Sequence, residues 1–302
     1  MITAGIDIGS NTVRLLIADI KNKNINKIIF EDRKITRLAE NLIDNGYLQD
    51  DAINRTVEVL KKFKKNIDIY KPEKIKTIAT SAVREAKNSE IFLEKVSKIG
   101  LNVEVIDGES EGYYTYLGVN SILKINDKNT LIFDIGGGST EFIYILNKQV
   151  EYIKSLSLGV VKLADIFRVD DKLDNNTKLD LIKYINPIIN NLDQSLKPDM
   201  LVGTAGTITT IAAIDSNLKK YDRNLINNYK LKKDNIKNIF NHLASINSVE
   251  RVKKYPLLKG REDLIIPGIL IILSIMDYFN INILTVSDFG LREGLTIAAA
   301  MV

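Results

Sequence analysis

The sequence predicts an α/β protein made of two duplicated lobes. Apolar, strand-like runs alternate with helix-like segments, which is the pattern of sheets with parallel strands. A strand, a glycine turn and a second strand occur twice, at 6–17 and at 130–146. The chain has 302 residues, enough for about two domains. The 45% hydrophobic and 26% charged content is that of an ordinary globular chain with a sizeable core.

The apolar run 130–133 leads into Asp134-Ile135-Gly136-Gly137-Gly138-Ser139-Thr140-Glu141, and a second run, 142–146, leads out. Three successive glycines remove every Cβ from the turn, so backbone N–H groups can converge on one anion. Two carboxylates beside such a turn repel each other unless a hard cation such as Mg²⁺ bridges them to phosphate oxygens. Alone, the stretch reads more readily as a glycine hairpin with two solvated acids. The second copy alters that balance. Ile6-Asp7-Ile8-Gly9-Ser10-Asn11-Thr12, followed by Val13-Arg14-Leu15-Leu16-Ile17, has the same layout. A repeated phosphate turn, each copy with its own Asp, suggests two lobes that clamp a phosphate chain from both sides.

Composition narrows the chemistry. There are no cysteines, which excludes a disulfide framework, a thiol nucleophile and a Cys-based zinc site. The single histidine, His242, excludes a His cluster; it falls in a polar helical stretch and reads as a surface or partly packed residue. A net charge of +4 is compatible with a polyanionic ligand without demanding one. The most apolar run, 264–276, is too short for a bilayer and contains Pro267 and Gly268, so it reads as a buried core helix. The first residues already form a strand, so no signal peptide is expected, and the chain is expected to be cytoplasmic.

Taken in order, 3–8, 13–20 and 25–36 are strands, with a polar turn at 21–24. A helix starts at Asp50 or Asp51, acting as N-cap, and runs to about 69, with Ile53, Val57, Leu60 and Phe63 at helical spacing. Strand 75–79 ends in Thr80-Ser81-Ala82-Val83-Arg84-Glu85-Ala86, and a helix covers 89–99. Strand 103–106 runs into Asp107-Gly108-Glu109-Ser110-Glu111-Gly112 and a helix to about 123. After the central hairpin come strand 149–156 and a helix opened by Ser157-Leu158-Gly159. Helix 177–196 contains Pro187, which predicts a kink or break. Strand 200–202 ends in Gly203-Thr204-Ala205-Gly206-Thr207; glycines and small hydroxyls before a helix N-terminus form an anion site. The stretch 229–251 reads as one polar helix, with Lys230, Lys232 and Lys233 on a solvated face. Arg261-Glu262-Asp263 caps the apolar helix, 283–286 is the last core strand, and a C-terminal helix ends at Val302.

Two such hairpins separated by an α/β segment resemble the actin-like ATPase superfamily. The set IDIGSNTVRL (6–15), TSAVREA (80–86), DGESEG (107–112), DIGGGSTE (134–141), GTAGTITT (203–210) and SDFGLREG (287–294) is more specific. In this order it resembles the exopolyphosphatase/guanosine pentaphosphate phosphohydrolase (Ppx/GppA) family over essentially the whole chain, in a short two-domain form without a histidine-rich hydrolase-like extension.

The resemblance implies two actin-like (ribonuclease H-like) domains, each a mixed sheet with flanking helices, and an active site in the cleft between them. The first would run over 1–119, joined by the helix 291–302, and the second over 120–290. By the same resemblance Glu111 is the base that activates water. The family's adjacent acid is here Ser110, and Gly112 stands where Ala is usual. Read by itself, Glu111 is equally a helix N-terminal acid favoured by the dipole. Asp134 and Glu141, with Asp7, would surround a Mg²⁺ or another divalent cation. Gly9, Ser10 and Asn11, Gly136, Gly137, Gly138 and Ser139, and Gly203, Thr204, Gly206 and Thr207 would form the phosphate turns. Arg14, Ser81 and Arg84 would lie along the phosphate path, and Arg261 in a region that can contact a guanosine tetra- or pentaphosphate.

The leading expectation is a Mg²⁺-dependent hydrolase that releases terminal phosphate from polyphosphate, from the 5′ end of pppGpp, or from both. Two other readings stay open: a (p)ppGpp sensor without turnover, which the intact Glu111, Asp134 and Glu141 set argues against and the Ser110 departure keeps open, and an actin-like small-molecule kinase. No nucleic acid or membrane partner is expected, and the chain is expected to be a monomer or homodimer.

Overall fold

A computed structural model describes residues 1–123, 125, 128–169 and 171–301. The chain divides into two compact units, Met1–Ile122 with the segment from Phe289 onward, and Leu123–Asp288.

The first unit is built on β1 (Ile2–Ile8), β2 (Thr12–Lys21), β3 (Asn24–Ile35), β4 (Lys74–Ala79) and β5 (Glu104–Val105), in the order β3-β2-β1-β4-β5. β1, β2 and β3 form an antiparallel meander, and β4 and β5 add parallel to β1. The second unit has β6 (Thr130–Ile135), β7 (Thr140–Leu146), β8 (Gln149–Leu156), β9 (Met200–Thr204), β10 (Lys230–Lys232) and β11 (Ile283–Val286), in the order β10-β11-β9-β6-β7-β8. Here β6, β7 and β8 are the meander, and β9 and β11 follow in parallel. Apart from the edge strand β10, strand for strand the two sheets share one topology. The duplicated turns of the sequence are therefore one position in a duplicated fold.

Local chemistry explains most element ends. The helix Asp50–Tyr70 buries Ile53, Val57, Leu60 and Phe63, but Gln49 holds its N-cap position. Asp50 and Asp51 instead occupy the first turn, where carboxylates favour the positive end of the dipole. Pro187 falls near the end of the helix Asn175–Ile189. It therefore terminates the helix early and does not kink a longer one. The apolar helix Ile265–Tyr278 is buried along most of its length; Pro267 lies in its first turn, where a missing N–H costs little. Leu264 holds its N-cap position, so the Arg261-Glu262-Asp263 stretch precedes the helix without capping it.

The stretch 229–251 is not one helix. Lys230-Leu231-Lys232 is the strand β10, with Leu231 buried between two exposed lysines, the period of two that a strand imposes. Helices Lys233–Ala244 and Ser248–Lys254 follow, the second opened by an Asn247–Glu250 capping box. Lys233 is buried and pairs with Asp277 at 2.6 Å, so it does not belong to a solvated face.

The C-terminal helix Leu291–Ala299 packs on the first unit. Gly118 of the helix Gly108–Leu123 meets the backbone at Gly290 and Gly294 so closely that no Cβ fits. Gly5 meets Thr296 in the same way, and Thr3 Oγ1 donates to the Thr296 carbonyl at 2.7 Å. The predicted end of this helix, Val302, lies outside the described residues. Among the described residues no helix is long and apolar enough to cross a membrane.

Candidate active site

In each unit the predicted residues gather at the carboxyl ends of the parallel strands, where open α/β sheets bind ligands.

In the first unit, β1 ends at the turn Gly9-Ser10-Asn11, closed by Gly9 N–H donating to the Thr12 carbonyl at 3.1 Å. Ser10 Oγ lies 3.0 Å from Ser81 Oγ at the start of the short helix Ser81–Glu85, and both side chains are buried. Asp7 is 1% exposed; its Oδ2 accepts from Arg14 Nη1 at 2.7 Å, and its buried Oδ1 has no hydrogen-bond partner among the described residues. Arg84 Nη1 donates to the Ile106 carbonyl at 2.6 Å and stands 3.7 Å from Glu111 Oε2.

Glu111 is 6% exposed in the first turn of the helix Gly108–Leu123. That turn starts where it does because Asp107 Oδ1 accepts from Ser110 N–H at 2.8 Å. Hydrogen bonds from Ser110, with the Arg84 charge a lesser cause, hold the Asp107 carboxyl below its usual range. Ser110 is thus part of the cap that sets the helix bearing Glu111.

In the second unit the same turn recurs, with Gly136 N–H donating to the Ser139 carbonyl at 2.9 Å. Asp134 lies opposite Glu141 across β6 and β7, and beside Thr204 on β9. Glu141 Oε1 accepts from Ser155 Oγ at 2.7 Å. Both acids are deeply buried, at 9% and 1% exposure. The helix Gly206–Asp215 begins after Ala205, whose φ of 77° lies in the left-handed region that an L side chain rarely adopts. The Arg261 guanidinium lies against Gly206 so closely that a Cβ there would collide with it. A guanidinium beside a helix N-terminus joins two positive ends, an arrangement suited to an anion. Gly203 has a different explanation. It sits within β9, and its missing Cβ makes room for Ile208 and Leu284, so packing accounts for the glycine there.

Two supporting residues were not assigned to the site from sequence. Gly159 lies against the backbone of Gly137 and Gly138 with no space for a Cβ. The helix it opens, Val160–Phe167, donates Val160 N–H to the Gly136 carbonyl at 3.1 Å and Val161 N–H to the Gly137 carbonyl at 2.9 Å. Carbonyls of the glycine turn are thus held by this helix. The sequence shows the helix opening at Ser157-Leu158-Gly159 but not its contact with the glycine turn. Replacing Gly159 by Ala is expected to cost about 1–3 kcal/mol through overpacking against backbone, read as a lower urea midpoint. The other is Arg251, fully buried, which donates to the carbonyls of Val169, Leu243 and Asp171, and at 3.0 Å to that of Glu262, next to Arg261.

The two turns carry opposite chemistry in matching places. Position for position, Asp7 corresponds to Asp134 and Gly9 to Gly136, but Arg14 corresponds to Glu141. The first pair is an acid with its cation; the second is two acids in register. Among the described residues no group of three or more His, Cys, Asp or Glu side chains is placed to hold a metal ion. Mg²⁺ does not require one: it takes one or two carboxylates and fills its octahedron with water and phosphate oxygens. The hard oxygens of Asp134 and Glu141 fit that demand, and so does the unpartnered Oδ1 of Asp7.

The model of the Ppx/GppA phosphatase family matches residues 16–300. The chain belongs to that family. A crystal structure of the Ppx/GppA family member of Aquifex aeolicus is 38% identical and superposes with a TM-score of 0.85, covering 100% of this chain and 98% of that one. Both units accordingly have the actin-like α/β fold. A bifunctional 3-dehydroquinate synthase/phosphatase of Fusobacterium nucleatum is 35% identical over 94% of this chain, which spans only 44% of that protein's length. A putative exopolyphosphatase of Haemophilus influenzae is 28% identical, covering 97% of this chain and 89% of its own.

Proposed function

We propose that this chain is a divalent-cation-dependent phosphoanhydride hydrolase that releases terminal phosphate from inorganic polyphosphate, from the 5′ end of pppGpp, or from both. The observation that carries the reading is the charge contrast between the duplicated turns, in a chain of a phosphatase family. The Asp7–Arg14 turn has a guanidinium for phosphate oxygens, and the Asp134–Glu141 turn has paired carboxylates for a cation. Phosphoryl transfer asks chiefly for these two functions, positioning and charge neutralisation, together with an aimed water.

On this reading the N–H groups of Gly9, Ser10 and Asn11, and those of Gly136 to Ser139, cradle phosphate oxygens. Arg14 and Arg84 bind phosphate, with Ser10 and Ser81 fixed together beside them. The Gly206-Thr207 helix start and Arg261 hold a more distant anionic group of the substrate. Glu111 accepts the proton of the attacking water, and Arg84, 3.7 Å away, keeps that carboxylate oriented while it does so. Asp134 and Glu141 would hold Mg²⁺, which when bound neutralises developing phosphate charge, and the carboxylate of Asp7 offers a further hard oxygen for a divalent cation. The working compartment on this reading is the cytoplasm, and the working form a monomer or homodimer.

The test is phosphate release measured side by side on long-chain polyphosphate, pppGpp and ATP, with Mg²⁺ and after EDTA. Metal-dependent release from polyphosphate or pppGpp is expected, with loss of at least about 10²-fold on chelation. Tight binding of pppGpp without release, or ADP formation only in the presence of an acceptor, would replace this reading by a sensor or a kinase.

A further inference from the structure

In a planar trans peptide the carbonyl and the N–H that follows it point in opposite directions. A bond that fixes a turn carbonyl therefore aims the next N–H the other way. In the second unit Val160 N–H holds the Gly136 carbonyl and Val161 N–H holds that of Gly137. The N–H groups of Gly137 and Gly138 are thereby aimed away from the helix Val160–Phe167. The first unit does the same with a different segment, 36–39, which follows β3 as that helix follows β8. Ala39 N–H donates to the Ser10 carbonyl at 2.9 Å, which aims Asn11 N–H away from the segment. Thr36 and Arg37 N–H groups both donate to the Asn11 carbonyl, at 2.9 and 3.0 Å. Both peptide planes that flank Asn11 are thus held by one segment.

The N–H groups aimed in this way are left for a ligand. Among the described residues, those of Ser10, Asn11, Gly137, Gly138 and Ser139 donate to no backbone carbonyl. Unspent donors on one side and anchored carbonyls on the other make each turn a one-sided anion cradle. In the first unit the same logic runs one step further back. Arg55 Nε, on the helix Asp50–Tyr70, donates to the Thr36 carbonyl at 2.7 Å. That carbonyl and the Arg37 N–H belong to one peptide, so the arginine holds one end while the other end points at Asn11. The backbone of Arg37 is left-handed, with a φ of 48° that an L residue rarely adopts. A bend of that kind persists only where its surroundings hold it, and the Arg55 bond is one such hold.

We propose that segment 36–39 aims the phosphate turn of the first unit, and that Arg55 is a positioning residue for phosphate binding that acts through this segment. This rests on the phosphoanhydride-hydrolase reading above. Arg55 acts through the Thr36 carbonyl: with that bond lost, the 36–37 peptide can turn, the Asn11 carbonyl loses a donor, and the cradle no longer presents its N–H groups in one fixed direction. A donor that must be aimed anew at each binding event weakens binding, because the ligand then has to order it.

The experiment compares the wild-type chain with Arg55→Met, Arg55→Lys and Glu40→Gln. Glu40 Oε2 accepts from Arg55 Nη2 at 3.0 Å, so Glu40→Gln removes that exposed ion pair and leaves the bond to the Thr36 carbonyl. In Arg55→Met the KM for tripolyphosphate and the Ki of its non-hydrolysable methylene analogue are expected to rise together, by about three- to tenfold, with kcat within about twofold of wild type. Arg55→Lys should recover part of the loss, and Glu40→Gln should match wild type. A role in stability alone would lower the unfolding midpoint and leave KM and Ki of the folded protein unchanged. That result overturns the proposal, and so does an equal rise in Glu40→Gln. Amide exchange on the wild-type chain needs neither a variant nor turnover. Asn11 N–H should exchange quickly in the free protein and slow at least about tenfold with the analogue bound, while Ala39 N–H is protected in both states. An Asn11 N–H already protected without ligand, or unprotected with it, overturns the aimed cradle. Wild-type protein that releases no phosphate from polyphosphate, pppGpp or tripolyphosphate overturns the hydrolase reading, and Asn11 exchange then still decides the cradle.

Discussion

Replacing Glu111 by Gln is expected to lower phosphate release by about 10²- to 10⁴-fold while leaving the fold in place. Glutamine keeps the size of the side chain and can still bond at this 6% exposed position, but it cannot accept the proton of water. The Asp107 cap that sets the helix start does not involve the side chain of Glu111, so helix Gly108–Leu123 should persist. The thermal midpoint is therefore expected to move by no more than a few degrees. Glu109 is the internal control: it lies two residues earlier, is exposed, and should tolerate the same replacement with near wild-type turnover. Full activity in Glu111→Gln, or equal losses at 109 and 111, would remove Glu111 from the role of base.

Replacing Arg14 by Met is expected to cost about 3 kcal/mol of stability. The change strips its cation from Asp7, a carboxylate at 1% exposure. Breaking a buried ion pair from one side costs about 3–5 kcal/mol, because the remaining charge is left uncompensated. Arg14 itself is 27% exposed, which places the expected value at the low end of that range. For a unit of this size the melting midpoint should fall by about 10 °C. The double variant Asp7→Asn with Arg14→Met should recover at least half of the loss, since no buried charge remains. A double variant as unstable as Arg14→Met alone would show that the arginine acts through packing of its stem.

Much of the site was legible in the sequence because it is encoded locally. A turn with glycine or small polar residues between two apolar runs forms wherever it occurs, and its two copies betrayed the duplicated sheets before any strand was paired. The helix start at Gly108 and the first turn bearing Glu111 also follow from neighbours in the chain, Asp107 and Ser110. Lys233 was misread for the opposite reason. Three lysines within four residues look solvated in any linear reading, yet strand pairing buries Leu231, and Lys233 is buried with its ammonium paired to Asp277. Gly159 read only as part of a helix opening, because its contact is with Gly137 and Gly138, some twenty residues away across an intervening hairpin.

By itself, then, the sequence determined the two turns, the acids that flank them, the α/β class and the family. Residues within a few positions of one another settle these features through turn chemistry and periodicity. Tertiary structure alone decided which side chains stand in one row. Asp7 and Arg14 have the same spacing along the chain as Asp134 and Glu141, and the members of each pair stand opposite one another only because their two strands pair in one particular register. Register is chosen by the burial of a whole strand face. The chemistry of each row is therefore a property of the assembled sheet, not of any stretch of chain.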